Sequence, residues 1–168
     1  YFTWDYPESS FQCTDDATTG INGDVITIGF KGVSNGKDQA GGIQTETRPG
    51  LGEGIDLSRC KAIKITATNK ATEDVHMNII VKNGNDWTWA ENGGATAADP
   101  VEGERIIGAG ETVDIVYYLT HATWKTLASN WEYTGTLEDL DDCRAIAFKV
   151  YGGDATPISG TLEITNFE

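Results

Sequence analysis

Histidine is nearly missing from this chain: only His76 and His121 occur among its 168 residues. That scarcity leaves few routes to a histidine metal site or a histidine-based triad. No G-x-S-x-G elbow, H-E-x-x-H helix, Walker loop or dinucleotide fingerprint is present either. Basic residues are also scarce, with 12 Lys and Arg against 26 Asp and Glu, for a formal charge of −14. Such a surface repels phosphates and anionic bilayers, and no basic stripe offsets it, so neither nucleic acid nor membrane is expected as a partner. A neutral ligand or a divalent cation is compatible, and solubility alone accounts for the charge equally well. No apolar run approaches the roughly 20 residues needed to span a bilayer. Cysteine is limited to Cys13, Cys60 and Cys143, without a CxxC pair, so metal-thiolate spacing is absent. One bridge with one buried thiol, or three reduced thiols, both fit that count.

What is present is enough for a core. Apolar residues make up 39% of the chain and include five tryptophans, which argues against disorder. The length fits one domain, residues 1–168, and the abrupt start at Tyr1 reads as a mature or excised module. Period-two alternation marks half-buried strands at 25–30, 62–68, 75–82, 113–119 and 145–151, with a closing strand at 160–167. Twenty glycines punctuate them, notably in the Asn22-Gly23, Asn35-Gly36, Asn83-Gly84 and Asn92-Gly93 steps, which accept the positive φ of tight turns. The segment 119–130 reads as a loop with one helical turn at most. The spacing therefore predicts an all-β fold, an antiparallel two-sheet β-sandwich or jelly roll. Residues 56–63 resemble 140–146, each a polar turn leading into an alternating strand. This puts Cys60 and Cys143 at equivalent strand starts, where they would be bridged if their strands were neighbours.

The aromatic residues carry most of the functional information. Trp87 and Trp89 lie two apart, as do Trp131 and Tyr133, both pairs in Asn- and Gly-rich surroundings. In an extended segment that spacing puts both rings on one side. Flat rings cover the apolar C–H faces of pyranoses, while nearby polar side chains bond their hydroxyls. Core filling is the competing explanation for any single tryptophan. In the strand 145–151, Ile146, Phe148 and Val150 form the apolar face, leaving Ala145, Ala147, Lys149 and Tyr151 on the other. Two small alanines beside a lysine and a tyrosine suit a groove floor with a wall. The same parity turns His76, Asn78 and Lys82 outward, and Gln44, Glu46 and Arg48 outward on 42–48. Abundant Asp and Glu leave a paired-carboxylate glycosidase open by count, without a recognisable surround.

The C-terminal half, chiefly about its last 60 residues, resembles the β-sandwich carbohydrate-binding modules of bacterial cellulases, especially the family 11 group and its relatives. The likeness lies in Gly135-Thr136-Leu137, in Leu140-Asp141-Asp142, in the strand Ala145 to Tyr151 and in Gly160 to Phe167. It implies a secreted module, joined to a catalytic domain, that binds plant cell-wall polysaccharide without cleaving it. β-1,4-linked glucans are the expected ligand class: cellulose chains, mixed-linkage glucan or xyloglucan. Tyr151 falls on a sugar-stacking tyrosine position of that family, and Tyr133 or Trp131 on its loop aromatic. The resemblance also implies a structural calcium near the two chain ends, for which Asp5, Glu8, Asp15, Asp16 and Glu168 offer oxygen ligands; no cofactor is required. The candidate binding residues are thus Tyr151, Trp87, Trp89, Trp131, Tyr133, Lys149, Asn78, His76 and Gln44. Two other classes stay open: a catalytic jelly-roll glycoside hydrolase or polysaccharide lyase, and a structural or adhesion sandwich.

Overall fold

Side chains that alternate apolar and polar can bury one face as strands, and residues 25–30 and 62–69 follow that rule. The computed structural model describes residues 11–13, 17–22, 25–34, 41–46 and 54–168, with side chains described for 25–34 and 54–168. The strands are β1 (Phe11–Cys13), β2 (Ala17–Asn22), β3 (Val25–Val33), β4 (Gly41–Glu46), β5 (Ala62–Asn69) and β6 (Val75–Asn83). After a turn follow β7 (Thr88–Asn92), β8 (Ile106–Ile107), β9 (Thr112–Tyr118), β10 (Trp124–Thr126) and β11 (Tyr133–Gly135). Two long strands, β12 (Cys143–Tyr151) and β13 (Ile158–Thr165), close the chain.

Two sheets result, and every pairing among the described strands is antiparallel. The first runs β1-β4-β12-β6-β7-β10-β11, with β8 continuing the edge of β6 that β7 leaves unpaired; the second runs β2-β3-β13-β5-β9. The fold is the antiparallel two-sheet β-sandwich that the alternation predicts. Between the sheets, Val75, Met77, Ile79 and Val81 of β6 and Ile146, Phe148 and Val150 of β12 pack with Ile28, Ile65, Ile115, Tyr117, Leu162 and Ile164. Each such side chain withdraws from water at a gain of roughly 1.5–3 kcal/mol.

The loop between β7 and β8 is held by a buried cation. Arg105 donates from Nη2 to the carbonyls of Gly94 (2.6 Å) and Val101 (3.0 Å), and its Nη1 pairs with Asp99 at 2.9 Å. Asn92, also buried, accepts from the Gly94 N–H and donates to the Thr123 carbonyl, tying the same loop to the approach of β10.

Two expectations are corrected here. The segment 119–130 contains no helical turn but the short strand β10, because the Trp124 ring is drawn into the core and its indole N–H donates to the Tyr118 carbonyl at 3.0 Å. Three residues are too few for a period to register in the sequence. Cys60 and Cys143 are not bridged. The first is exposed ahead of β5 in one sheet, the second opens β12 in the other, buried so that its thiol is pushed up to about 12. The two similar segments do lie side by side, but through backbone: Leu57 N–H donates to the Leu140 carbonyl at 2.7 Å, and Ile55 bridges Cys143. The side chain of Cys13, the Asn35-Gly36 step and Gly23 lie outside the described residues, as do Asp5, Glu8, Asp15 and Asp16. Glu168 is described, and its backbone exchanges two hydrogen bonds with Lys64. Among the described residues no three His, Cys, Asp or Glu side chains gather as a metal site.

Gly94 sits at φ +74°, and a Cβ there would lie 2.5 Å from Ile115 Cγ2 and 2.8 Å from the Tyr117 ring. Both the backbone region and the overpacking oppose a side chain. Gly94→Ala is therefore expected to cost about 2–4 kcal/mol, read as a lower urea midpoint at unchanged m-value; an unaltered midpoint would contradict this packing.

Candidate functional site

Residues directly opposite one another in an antiparallel pair share a face, so the register builds the outer surface of the first sheet residue by residue. With the odd-numbered apolar residues of β6 turned to the core, His76, Asn78, Ile80 and Lys82 face away. Opposite them on β12 stand Tyr151, Lys149, Ala147 and Ala145 respectively. On the other flank Glu91 stands opposite Ile80 and Trp89 opposite Lys82. Lys125 then stands opposite Glu91, and Tyr133 opposite Lys125. On β4, Gln44 and Glu46 take the register positions beside Ala147 and Ala145; their side chains, and Arg48, lie outside the described residues. One row thus crosses six strands from Gln44 through Ala147, Ile80, Glu91 and Lys125 to Tyr133. Five inter-strand spacings make it roughly 24 Å long. Its floor is low at Ala145 and Ala147.

Polar groups on this floor are buried yet incompletely bonded. Glu91 is only 3% exposed, with Lys125 Nζ 3.3 Å from Oε1 and Lys149 Nζ 3.8 Å from Oε2. Asn78, 1% exposed, donates from Nδ2 to the Tyr133 hydroxyl at 3.2 Å. Neither Glu91 Oε2 nor Asn78 Oδ1 has a hydrogen-bond partner. An unsatisfied buried acceptor costs about 1–3 kcal/mol, which a hydrogen-bond donor offsets. Lys125 also lies over the Tyr133 ring, 5.6 Å from its centroid.

A second cluster closes one end. Glu104, from the loop before β8, accepts at Oε1 from the Tyr151 hydroxyl and from His76 Nδ1, each at 2.8 Å. Since a carboxylate only accepts, that imidazole nitrogen carries its proton. The His76 and Tyr151 rings are 5.0 Å apart, and Lys149 Nζ sits 5.1 Å from the Tyr151 centroid. Burial raises the Glu104 carboxyl, but donation by Tyr151 and His76 outweighs it and leaves the group below the usual carboxylate range. Burial first, and then the bonded Glu104 charge, push the Tyr151 phenol well above its ordinary value; burial also raises Tyr133.

Of the nine candidate residues, the fold brings Tyr151, His76, Lys149, Asn78 and Tyr133 into one connected patch, with Gln44 one row away by register. Trp89 is half-buried at the opposite end of the groove, its ring 5.0 Å from Lys82 Nζ. It lies six residues, or roughly 20 Å, along the strand from the Tyr151 row. The expectation that each aromatic pair shares a side fails. Trp87 and Trp131 are not extended but sit in turns with φ 53° and 62°, so period-two logic does not reach them. Both are partly exposed outside the strands. The sequence reading missed Glu91, Lys125 and Glu104. Stepping two residues on from Trp89 reaches Glu91; Lys125 hides in the three-residue strand, and Glu104 in a loop carries no periodic signal.

No protein-family model matches the sequence, and no curated protein matches it. Solved structures do match. An exo-β-agarase aligns over 99% of this chain at a TM-score of 0.61 and 12% identity, although the chain spans 24% of that enzyme. A family 11 carbohydrate-binding module from Clostridium thermocellum, solved with a β-1,3-1,4-mixed-linked tetrasaccharide, aligns over 98% of this chain and 89% of its own at 0.55 and 14% identity. A family 28 module specific for non-crystalline cellulose aligns over 98% and 90% at 0.52 and 10%. The chain has the β-sandwich fold of carbohydrate-binding modules. The chain spans less than a quarter of the length of the exo-β-agarase and of a second agarase, which it also matches at a TM-score of 0.61.

The raised phenols set an alkaline test. Tyr117, fully buried, is pushed up by burial, as are Tyr133 and Tyr151. Above about pH 10, where a free phenol is half ionised, the folded protein binds more protons than the unfolded chain. The stability these phenols contribute is therefore full below that pH and is lost as pH rises beyond it. Ultraviolet titration is expected to release tyrosinate from these three only with unfolding, and Glu104→Gln to lower the pH at which Tyr151 ionises. Full ionisation of all six tyrosines in the folded state at about pH 11 would refute the burial that causes the shifts.

Proposed function

We propose that this chain binds a neutral polysaccharide in the groove over the first sheet, without cleaving it, and holds an attached enzyme on its substrate. The observation that carries the reading is the pair of buried, unsatisfied acceptors, Asn78 Oδ1 and Glu91 Oε2, on an open sheet face walled by Tyr151, Tyr133 and Trp89. Aromatic rings supply the apolar platform that sugar C–H faces need, and the acceptors take hydrogen bonds from sugar hydroxyls. The ligand class is β-1,4-linked glucan: cellulose chains, mixed-linkage glucan or xyloglucan. The module that aligns along most of its length and carries a mixed-linkage tetrasaccharide supports that class. Function outside the cell, where such polymers lie, goes with it. Binding raises the local concentration of a tethered catalyst, a gain in avidity without new chemistry.

A hydrolase on this groove is less well supported. A glycosidase needs a carboxylic acid with a raised pKa beside a second carboxylate. Glu104 is held below the ordinary range, the wrong direction for an acid, and Glu91 has its charge paired with Lys125 and Lys149. One specific observation favours a second ligand class, an agarose-type galactan: two agarases align at a TM-score of 0.61, against 0.52 to 0.55 for the binding modules.

Affinity electrophoresis against soluble β-glucan, xyloglucan and agarose tests both ligands together. Retardation by β-glucan with no release of reducing ends is expected. Retardation by agarose alone moves the ligand to the galactan class, and sustained release of oligosaccharide would overturn the non-catalytic reading. Polygalacturonate, tested at low salt with chelator, is expected to bind poorly to a protein of charge −14.

Tyr151→Ala removes a half-buried ring and its bond to Glu104. Covering a sugar face with such a ring is worth roughly 1–2 kcal/mol, an affinity loss of about five- to thirtyfold. Calorimetry with β-glucan oligosaccharide reads it. Unchanged affinity would place the sugar elsewhere, towards Trp89.

A further inference from the structure

The same strands that carry the groove also carry a cavity on their other side. Ala90 and Thr126 are paired and share the core-side face with Val81, and Asn83 pairs with Thr88 on that face. Here β7, β10 and β11 leave a half-open cavity of about 360 Å³, lined by Asn83, Thr88, Ala90, Gly135, Thr136 and Leu137 among others, and by no residue of the second sheet. The volume lies in the small-molecule range of about 300–1,000 Å³. Gly135 lets β11 lie close against β10 beside the cavity: a Cβ there would meet Thr126 Oγ1 and the Trp124 carbonyl, each at 2.7 Å.

Asn83 is the informative group. It is 3% exposed, its Nδ2 donates to the Glu138 carbonyl at 2.7 Å, and its Oδ1 has no hydrogen-bond partner. The bond to Glu138 fixes the amide, so the free acceptor is a consequence of the fold rather than of a loose side chain. Around it stand threonine hydroxyls, of which Thr88, Thr134 and Thr136 are exposed at the rim. No lysine or arginine lines the cavity, and its one charged residue is Glu138, so an anion is repelled. No aromatic ring lines it either, so it has no platform for a stacked chain. What remains is a lining of hydroxyls, one buried acceptor and a small apolar floor of Ala90 and Leu137.

We propose that this cavity is a second binding site, for one neutral sugar unit such as a chain end or a side branch. Its hydroxyls donate to Asn83 Oδ1 and exchange bonds with the threonines, while its C–H edge rests on Ala90. The site rests on observations separate from the groove and shares no residue with it.

Amide chemical-shift titration of the whole protein with D-glucose, D-galactose and D-xylose, and with glucuronate as the anionic control, tests it. At least one neutral sugar is expected to give saturable millimolar shifts at Thr88, Gly135, Thr136 and Leu137, with none from glucuronate. Thr136→Trp, an exposed change that fills the mouth, is expected to weaken this binding at least about tenfold, and Tyr151→Ala to leave it unchanged. No saturable shift at these amides with any of the three sugars would overturn the proposal. So would shifts that survive Thr136→Trp, or that cluster instead around Tyr151 and Trp89. Equal binding of glucuronate would overturn the assignment to a neutral ligand. Loss of β-glucan retention by Tyr151→Ala with these shifts intact separates the two sites, so either can fail alone.

Discussion

The ladder between β6 and β12 is the constraint on which the rest depends. Its register runs from Asn83 opposite Cys143 to His76 opposite Tyr151. Beyond an irregularity between Cys143 and Ala145 the side chains of β12 alternate as far as Tyr151, so that alignment decides both surfaces of the first sheet at once. Ile146, Phe148 and Val150 meet the core with Met77, Ile79 and Val81, and Tyr151, Lys149 and Ala147 meet the groove with His76, Asn78 and Ile80. A slip by one residue would send every one of them to the wrong side, losing the core and the groove together. The apolar face therefore protects the polar face: burial of the former is what makes the geometry of the latter reproducible.

The polar face is costly by the standards of stability alone. A glutamate buried between two lysines gains less than it loses in desolvation unless its geometry is complete, and replacing such groups by apolar ones is often neutral or stabilising. Glu91 falls short of completion, since Oε2 lacks a hydrogen bond and Lys149 stands off at 3.8 Å. Asn78 adds a second deficit beside it. Two uncompensated acceptors on neighbouring strands, within a face built from rigid ladders, suit a surface prepared for a ligand. Lys125 and Lys149 together offset the charges of Glu91 and Glu104, so this part of the groove carries little net charge while the molecule as a whole carries −14. A neutral ligand meets that floor without electrostatic penalty.

How much of this was legible in the sequence follows from where periodicity applies. Long strands such as β6, β12 and β13 announced themselves, and the parity of Ile146, Phe148 and Val150 correctly turned Tyr151 and Lys149 away from the core. That reasoning assumes extended backbone, and it failed where the chain turns: Trp87 and Trp131 take positive φ, a choice set by the hairpin and loop they occupy. Short elements were equally opaque. Three residues of β10 carry Lys125 to the groove because Trp124 is captured by the core, a long-range event with no local signature. Glu104 reaches Tyr151 and His76 from a loop whose position depends on Arg105 grasping the Gly94 and Val101 carbonyls. The repeated polar turns before β5 and β12 were visible, yet their meaning was backbone pairing between the segments rather than a disulfide.

That dependence of Glu104 on a buried arginine links the groove to a part of the fold that no ligand touches. Arg105 and Glu104 are neighbours in sequence, so the clamp that fixes the loop also sets the height of the Glu104 carboxylate above β6. Tyr151 could rotate about its own side-chain bonds if it stood alone. Held by Glu104, flanked by His76 and lying under Lys149, it has few orientations left to lose on binding the proposed sugar. Immobilising a side chain on binding costs about 0.5–1.5 kcal/mol, a sum comparable to what one stacked ring contributes. A wall that is ordered in advance keeps that contribution, and the ordering here originates in the loop, through Arg105, rather than in the strand that bears the tyrosine.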